Sequence, residues 1–156
     1  MSKDITSILF AGIGGQGIIR ASDMLTEAAF RLGFDVKKSE LHGMSQRGGS
    51  VSSDVRFGKC VLSPMIPNGE ADYLVAVSGD QIEVSRPFLN DNTVIVRPSD
   101  LSEEDAKSRM ANIVMLGFLN RYLKFPQDLW ENLIRENFSG PLAEANIEAF
   151  RRGCGL

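Results

Sequence analysis

Cysteine is scarce in this 156-residue chain. There are only Cys60 and Cys154, in no C-x-x-C ligand pattern. An iron–sulfur cluster typically takes about four thiolates, so this chain is not expected to hold one alone. Free thiols in a reducing cytoplasm are the expected setting. Histidine is scarcer still, His42 being the only one, which leaves no material for a metal site built on several imidazoles. Long apolar runs are missing: the longest, residues 113–119, contains Gly117 and falls far short of the roughly 20 residues a membrane span needs. Met1-Ser2-Lys3-Asp4 lacks the cationic start and apolar stretch of a signal peptide. An excess of basic charge is also absent. The 17 Lys and Arg against 20 Asp and Glu give a net charge of −3, which argues against nucleic acid or an anionic membrane as main partner. Repeats, low-complexity tracts and linkers are not seen, so residues 1–156 read as one domain. What is present suffices for a core. At 43% hydrophobic residues, a chain of this size buries roughly two-thirds of its unfolded surface.

Residues 5–11 form a short apolar run that leads straight into Gly12. After it Ile18, Ala21, Ser22, Leu25, Ala28, Ala29 and Leu32 recur at steps of three and four, the period of a helix, with Gly33 placed as its C-cap. Residues 34–38 read as a second strand, which predicts a βαβ unit with parallel strands and a right-handed crossover. Residues 41–50 are polar, glycine-rich and aperiodic, hence an irregular segment. Val51, Ser53, Val55 and Phe57 then alternate with Ser52, Asp54 and Arg56, as a half-buried strand requires. Gly58-Lys59 predicts a turn and residues 60–63 a returning strand, giving a hairpin. Residues 71–77 are a near-continuous apolar strand of the buried kind, with 93–96 expected beside it and a short helix over 81–89 between them. Ser102-Glu103-Glu104-Asp105 resembles a capping arrangement. Three C-terminal helices follow, divided near Phe125-Pro126 and Gly140-Pro141, the last with Pro141 in its first turn, where the missing N–H costs nothing. The expected class is α/β: a Rossmann-like three-layer sandwich with a mostly parallel, mixed sheet and C-terminal helices.

Gly12-Ile13-Gly14-Gly15-Gln16-Gly17 fits G-x-G-x-x-G between a predicted strand and a predicted helix. Glycines let the backbone approach a phosphate, which the free N–H groups and positive end of the helix then hold. A tight turn without ligand satisfies the same pattern. A dinucleotide site also needs an acid near the end of the second strand, but Asp35 stands at its start and Glu40 follows Lys37-Lys38. A nicotinamide-dependent dehydrogenase is therefore the least favoured reading.

Between 41 and 56 the only histidine, Gln46, two arginines, three glycines and several serines gather around the strand that starts at Val51. Arg47 can grip a carboxylate or phosphate through two parallel hydrogen bonds, and Gly48-Gly49 lets the main chain pass close to whatever Arg47 holds. A loop-tying role for Arg47 is the alternative. For His42 a hydrogen-bonded loop residue is the simpler reading, since no nucleophile pattern accompanies it. No residue is singled out as catalytic, and none as a metal ligand.

Three stretches together carry a resemblance: residues 12–19 around the first glycine loop, residues 42–51 (His42-Gly43-Met44-Ser45-Gln46-Arg47-Gly48-Gly49-Ser50-Val51), and Val55-Arg56-Phe57-Gly58. The chain resembles the gamma domain of 2-oxoacid:ferredoxin oxidoreductases, most of all the beta subunit of indolepyruvate:ferredoxin oxidoreductase. Residues 66–74, 111–117 and 146–150 extend the likeness over nearly the whole chain. Residues 91–108 look shorter than in such relatives, and Ser78 stands where many carry glutamate.

The resemblance implies a share in the oxidative decarboxylation of a 2-oxo acid, an arylpyruvate such as indolepyruvate, to an acyl-CoA. Thiamine diphosphate serves as electron sink there, and iron–sulfur clusters pass electrons to ferredoxin. This chain has no Gly-Asp-Gly thiamine motif; Ser78-Gly79-Asp80 is followed by none. The resemblance thus implies an accessory subunit that completes a larger thiamine- and cluster-carrying chain and reaches ferredoxin through that complex; a homodimer is compatible with it. The resemblance further implies that the domain packs beside the thiamine domains and helps position CoA. Gly12, Gly14, Gly15, Gln16, Gly17, Arg47, Gly48, Gly49 and Ser50 are the candidate cofactor contacts, and His42, Gly43, Met44, Gln46 and Arg56 the candidate partner face. Lys37, Lys38 and Arg56 are secondary phosphate candidates, or solvated strand residues. The alternative is a stand-alone, homo-oligomeric nucleotide-binding or regulatory module.

Overall fold

The computed structural model describes residues 4–42 and 49–156. Among these residues five strands form one sheet, β1 (Ile5–Ile13), β2 (Asp35–His42), β3 (Ser50–Gly58), β4 (Tyr73–Ala76) and β5 (Val94–Val96), in the order β2-β3-β1-β4-β5. Helices are α1 (Ile18–Arg31), α2 (Gln81–Ser85), α3 (Glu103–Lys107), α4 (Ala111–Leu123), α5 (Gln127–Asn137) and α6 (Pro141–Cys154). None is long and apolar enough to cross a membrane.

The sheet is mixed, as expected, but parallel pairing does not predominate. It joins β1 to β4 and β4 to β5, whereas β3 pairs antiparallel with both β1 and β2. The two strands of the expected β1-α1-β2 unit do run parallel, each being antiparallel to β3, but β3 is inserted between them and splits the unit. One expectation fails: residues 60–63 do not return as a hairpin strand. Their backbone finds side chains instead: the Val61 N–H donates to Asp35 Oδ2 at 2.7 Å and the Ser63 carbonyl accepts from Arg56 Nη1 at 3.0 Å. With these groups satisfied, the edges of β3 are left for its two long ladders. β2 also runs further than expected, to His42, taking in the start of the segment read as irregular.

The other elements follow the pattern of the sequence. The apolar stripe of α1, Ile18, Ala21, Leu25, Ala28 and Ala29, is buried. Its end is a Schellman motif: Gly33 takes φ +90°, its N–H donates to the Phe30 carbonyl, and the Phe34 N–H to that of Ala29. The 81–89 helix is α2 continued by a 3₁₀ turn over Arg86–Phe88. Ser102 Oγ accepts the Asp105 N–H at 3.1 Å and caps α3. The three C-terminal helices divide at the predicted prolines. α4 and α6 touch backbone to backbone at Gly117 and Gly153, where a Cβ would collide with the Phe150 and Val114 carbonyl oxygens respectively.

Alternation along β1 splits the core in two. Ile8 and Phe10 meet Val55, Phe57 and Val75 under α1, α4, α5 and α6. Leu9 and Ala11 face the other way, with Leu74, Ala76, Ile66 and Ala71, against Ile82, Phe88 and Leu89. The second cover is short. It lies over β1 and β4, and among the described residues much of the β2-β3 face is left open.

Candidate functional site

The first glycine loop joins β1 to α1, and three side-chain or cross-loop clamps fix it. Gln16 closes a ring with Ile13: its amide oxygen accepts the Ile13 N–H at 2.8 Å, while its own N–H donates to the Ile13 carbonyl at 3.1 Å. The Gly14 N–H donates to the Gly49 carbonyl at 2.9 Å, tying this loop to the end of the second one. Asn112, buried at the start of α4, donates from Nδ2 to the Gly17 carbonyl at 3.1 Å and accepts the Ile113 N–H at Oδ1.

Glycine is required at two of these positions for different reasons. Gly17 caps α1 at φ +74°, and a Cβ there would strike Asn112 Nδ2. Gly15 takes φ +95° with nothing within 4 Å of a Cβ position, so its backbone faces open space.

A cleft of about 290 Å³ lies over this loop, lined by Ile13, Gly14, Gly15, Gly17, Ile18 and Val51 among others. Among the described residues the N–H groups of Gly15, Gly17, Ile18 and Ile19 meet no acceptor. They lie at the positive end of the 14-residue helix α1, the arrangement that receives an anion. Arg20, at the rim, is turned away: Nη1 donates to the Asn137 carbonyl at 3.1 Å and the guanidinium sits 4.8 Å from the Phe138 ring centre. Among the described residues the cleft's attraction for an anion therefore comes from backbone.

Of the other candidates, Gly12 is where β1 passes beneath Ile18, and a Cβ there would crowd Gln16 Oε1 at 2.8 Å. Gly49 and Ser50 are brought to the first loop through the Gly14 bond and the Ile13–Ser50 register. Gly43, Met44, Gln46, Arg47 and Gly48 lie outside the described residues. The backbone of His42 ends β2 opposite Val51.

The secondary candidates are not gathered at the cleft. Arg56 lies opposite Ser7, six residues along β1 from Ile13, about 20 Å at strand rise. It donates to Ser7 Oγ and to the Ser63 and Met65 carbonyls. Lys37 pairs with Asp35 at 3.4 Å; Lys38 pairs with Asp23 at 2.5 Å and with Glu40.

Two carboxylates near these strands are displaced in opposite directions. The Val61 N–H holds Asp35 below the ordinary carboxylate range, helped by Lys37. Burial pushes Asp54 up, against the Ile66 N–H that donates to its Oδ2 at 2.9 Å. Sequence reasoning overlooked Asn112 as a loop tether; its place among residues 111–117 was a signal, but no local pattern says that α4 starts beneath the first loop.

The model of a family described as pyruvate ferredoxin/flavodoxin oxidoreductase matches residues 7–156. An indolepyruvate oxidoreductase subunit IorB from Methanothermobacter thermautotrophicus is 33% identical over 190 aligned positions, covering 96% of each chain. The subunit of that name from Archaeoglobus fulgidus is 29% identical over 94% of this chain and 92% of its own. Among solved structures, the gamma subunit of a keto/oxoacid ferredoxin oxidoreductase from Geobacter sulfurreducens superposes with a TM-score of 0.78 at 22% identity, over 97% of this chain and 95% of the other. A 2-oxoglutarate:ferredoxin oxidoreductase from Magnetococcus marinus, solved with 2-oxoglutarate, coenzyme A and succinyl-CoA bound, gives a TM-score of 0.82 at 20% identity. The match covers 99% of this chain but only 31% of that one, so there the same fold is about a third of a longer polypeptide.

Proposed function

Because the chain belongs to the pyruvate ferredoxin/flavodoxin oxidoreductase family, we propose that it works as the small subunit of a 2-oxoacid:ferredoxin oxidoreductase that converts an arylpyruvate such as indolepyruvate to its acyl-CoA. The larger chain supplies thiamine diphosphate and the iron–sulfur clusters, and ferredoxin is reached through the complex. The arylpyruvate assignment draws on the two indolepyruvate oxidoreductase subunits, both similar along almost their full length. Relatives named for pyruvate and 2-oxoglutarate synthases align at 28% and 26% identity.

One observation carries this chain's own share: four loop and helix N–H groups, in a loop held by the Gln16, Gly49 and Asn112 clamps, meet no acceptor among the described residues. A phosphate of CoA fits such a cradle, since the donors are fixed before it arrives and the helix end favours negative charge. CoA supplies the thiol that accepts the acyl group. The loop residues Gly12, Gly14, Gly15, Gln16 and Gly17 hold its phosphate end in place, with Arg47, Gly48, Gly49 and Ser50 closing from the second loop. His42, Gly43, Met44 and Gln46 face the larger chain together with Arg56, which also braces segment 63–65. Positioning of this kind accounts for several kcal/mol of a barrier without acid–base work by any residue, to an upper range of roughly 7–11.

The test is an anaerobic isolation of the tagged chain from its host, with iron, thiamine and oxo-acid oxidation measured on the product. A larger cluster-bearing chain and arylpyruvate turnover are expected. Gly15→Asp adds a carboxylate at the open edge of the cleft and should raise the KM for CoA about tenfold or more, with the complex intact, while the uncharged Gly15→Asn, equally strained at φ +95°, should raise it less. Unchanged CoA kinetics would remove the cradle, and recovery of the chain only with itself would favour the stand-alone nucleotide-binding module.

A further inference from the structure

On the sheet face opposite α1, a groove of about 400 Å³ runs between α2 and the β2-β3 half of the sheet. Its floor is made of small residues, Ala11 and Ser52, beside the carboxylate of Asp54. Its walls carry apolar side chains that a lone protein would rather bury: Leu41 is 71% exposed, Met65 66% and Val84 61%. They come from three separate segments, the end of β2, the 59–71 connection and α2, and converge on one trough, unlike singly scattered surface apolars.

Asp54 supplies the charge argument. Its Oδ2 accepts the Ile66 N–H, while its other oxygen has no hydrogen-bond or ion partner among the described residues. The Arg56 guanidinium favours the Asp54 carboxylate through its charge alone, since its donors go to Ser7 and two carbonyls. Glu40, also on the rim, is paired with Lys38. What the groove leaves without a hydrogen-bond donor among the described residues is thus one oxygen of a half-buried carboxylate. A second copy docked face to face would set one Asp54 against the other, a like-charge contact that costs binding. A basic side chain on an apolar segment supplies what is missing.

We propose that this groove is the docking surface for the larger chain of the oxidoreductase, and that the docked segment is apolar with one Lys or Arg directed at Asp54. The proposal rests on the subunit reading above. It is independent of the anion cradle, whose residues share only β1 and β3 with the groove.

The experiment is anaerobic co-isolation from the host of tagged wild-type chain and of Val84→Asp, Met65→Asp, Asp54→Asn and Leu142→Asp, with hydrogen exchange compared between free and complexed chain. Leu142, 55% exposed at the start of α6, lies on the other side of the fold and serves as control. Because the substituted groove residues other than Asp54 are largely exposed, their thermal unfolding should match wild type. The two aspartate variants should lose the larger chain, Asp54→Asn should retain about a tenth of it at limiting concentration, and Leu142→Asp should retain it all. Exchange at residues 39–41 and 52–54 should slow on assembly. Full assembly of both aspartate variants, with no slowing there, would overturn the groove while leaving the subunit reading intact. If wild type recovers no larger chain, the subunit reading fails and the docking proposal with it. A wild-type dimer dispersed by Val84→Asp would replace the larger chain with a second copy.

Discussion

The two faces of the sheet are built from alternate residues of the same strands, yet they differ in what they leave exposed. One face packs Ile8, Phe10, Val55 and Phe57 under four helices and is closed. The other carries Ala11, Ser52 and Asp54 and, among the described residues, is covered only in part by a five-residue helix, the turn at Phe88 and the segment around Ile66. The first face stores stability; the second is made of residues too small or too polar to earn a helix cover, and its apolar rims remain open.

Substitutions should separate the faces cleanly. On the closed side, Trp130→Ala removes the fully buried ring that stacks on Phe125 and meets Phe150 at a tilt, and should cost about 3–5 kcal/mol in urea unfolding. At the open rim, Val84→Ser should change stability by no more than about 0.5 kcal/mol. Comparable losses at both would mean that the second face is closed in solution.

Between these limits stands Asn112, which links the closed face to the cradle. Asn112→Ala strips the Gly17 carbonyl of its donor and should cost about 1 kcal/mol. A purely structural tether would stop there. If the clamp positions the loop, the KM for CoA should rise while kcat for a saturated complex holds.

The smallest effect is also the most diagnostic of the open face. Asp54 has a folded-state pKa above its unfolded value, so its ionisation opposes folding. That penalty is complete above the folded pKa and is relieved as pH falls toward the unfolded value. Asp54→Asn should therefore stabilise the isolated chain slightly at neutral pH, with the gain fading under acid. Asp35 has the opposite sign. Its depressed pKa gives stability that is present above the unfolded pKa and lost as pH falls through the folded one, so Asp35→Asn should destabilise at neutral pH and converge with wild type in acid. Urea melts of both variants from neutral to acid pH check the two signs.

Much of this architecture was legible along the chain because its signals are local. The apolar period of α1, the αL glycine at Gly33, the serine cap at Ser102 and the prolines before α5 and in α6 each act within a few residues. The same holds for the first glycine loop, whose Gln16 ring closes over three positions. Where reading failed, the deciding contact was distant. Nothing near Val51 says that its strand will slide between β1 and β2, and nothing near residue 60 says that Asp35, some 26 positions earlier, will take the Val61 N–H and spare that segment a strand partner.

The candidate site divides the same way. Motif order was enough to mark the first glycine loop. The order of residues also carried the family resemblance, because glycines at positive φ and at close backbone approaches admit few substitutes. Only the tertiary structure decided that Asn112 comes from α4 to hold that loop, that Lys37, Lys38 and Arg56 are engaged elsewhere, and that Leu41, Met65 and Val84 meet around Asp54. The reason is physical. A residue's conformational preference is a property of its own backbone and near neighbours, whereas exposure, charge pairing and convergence depend on which distant segment folding brings alongside.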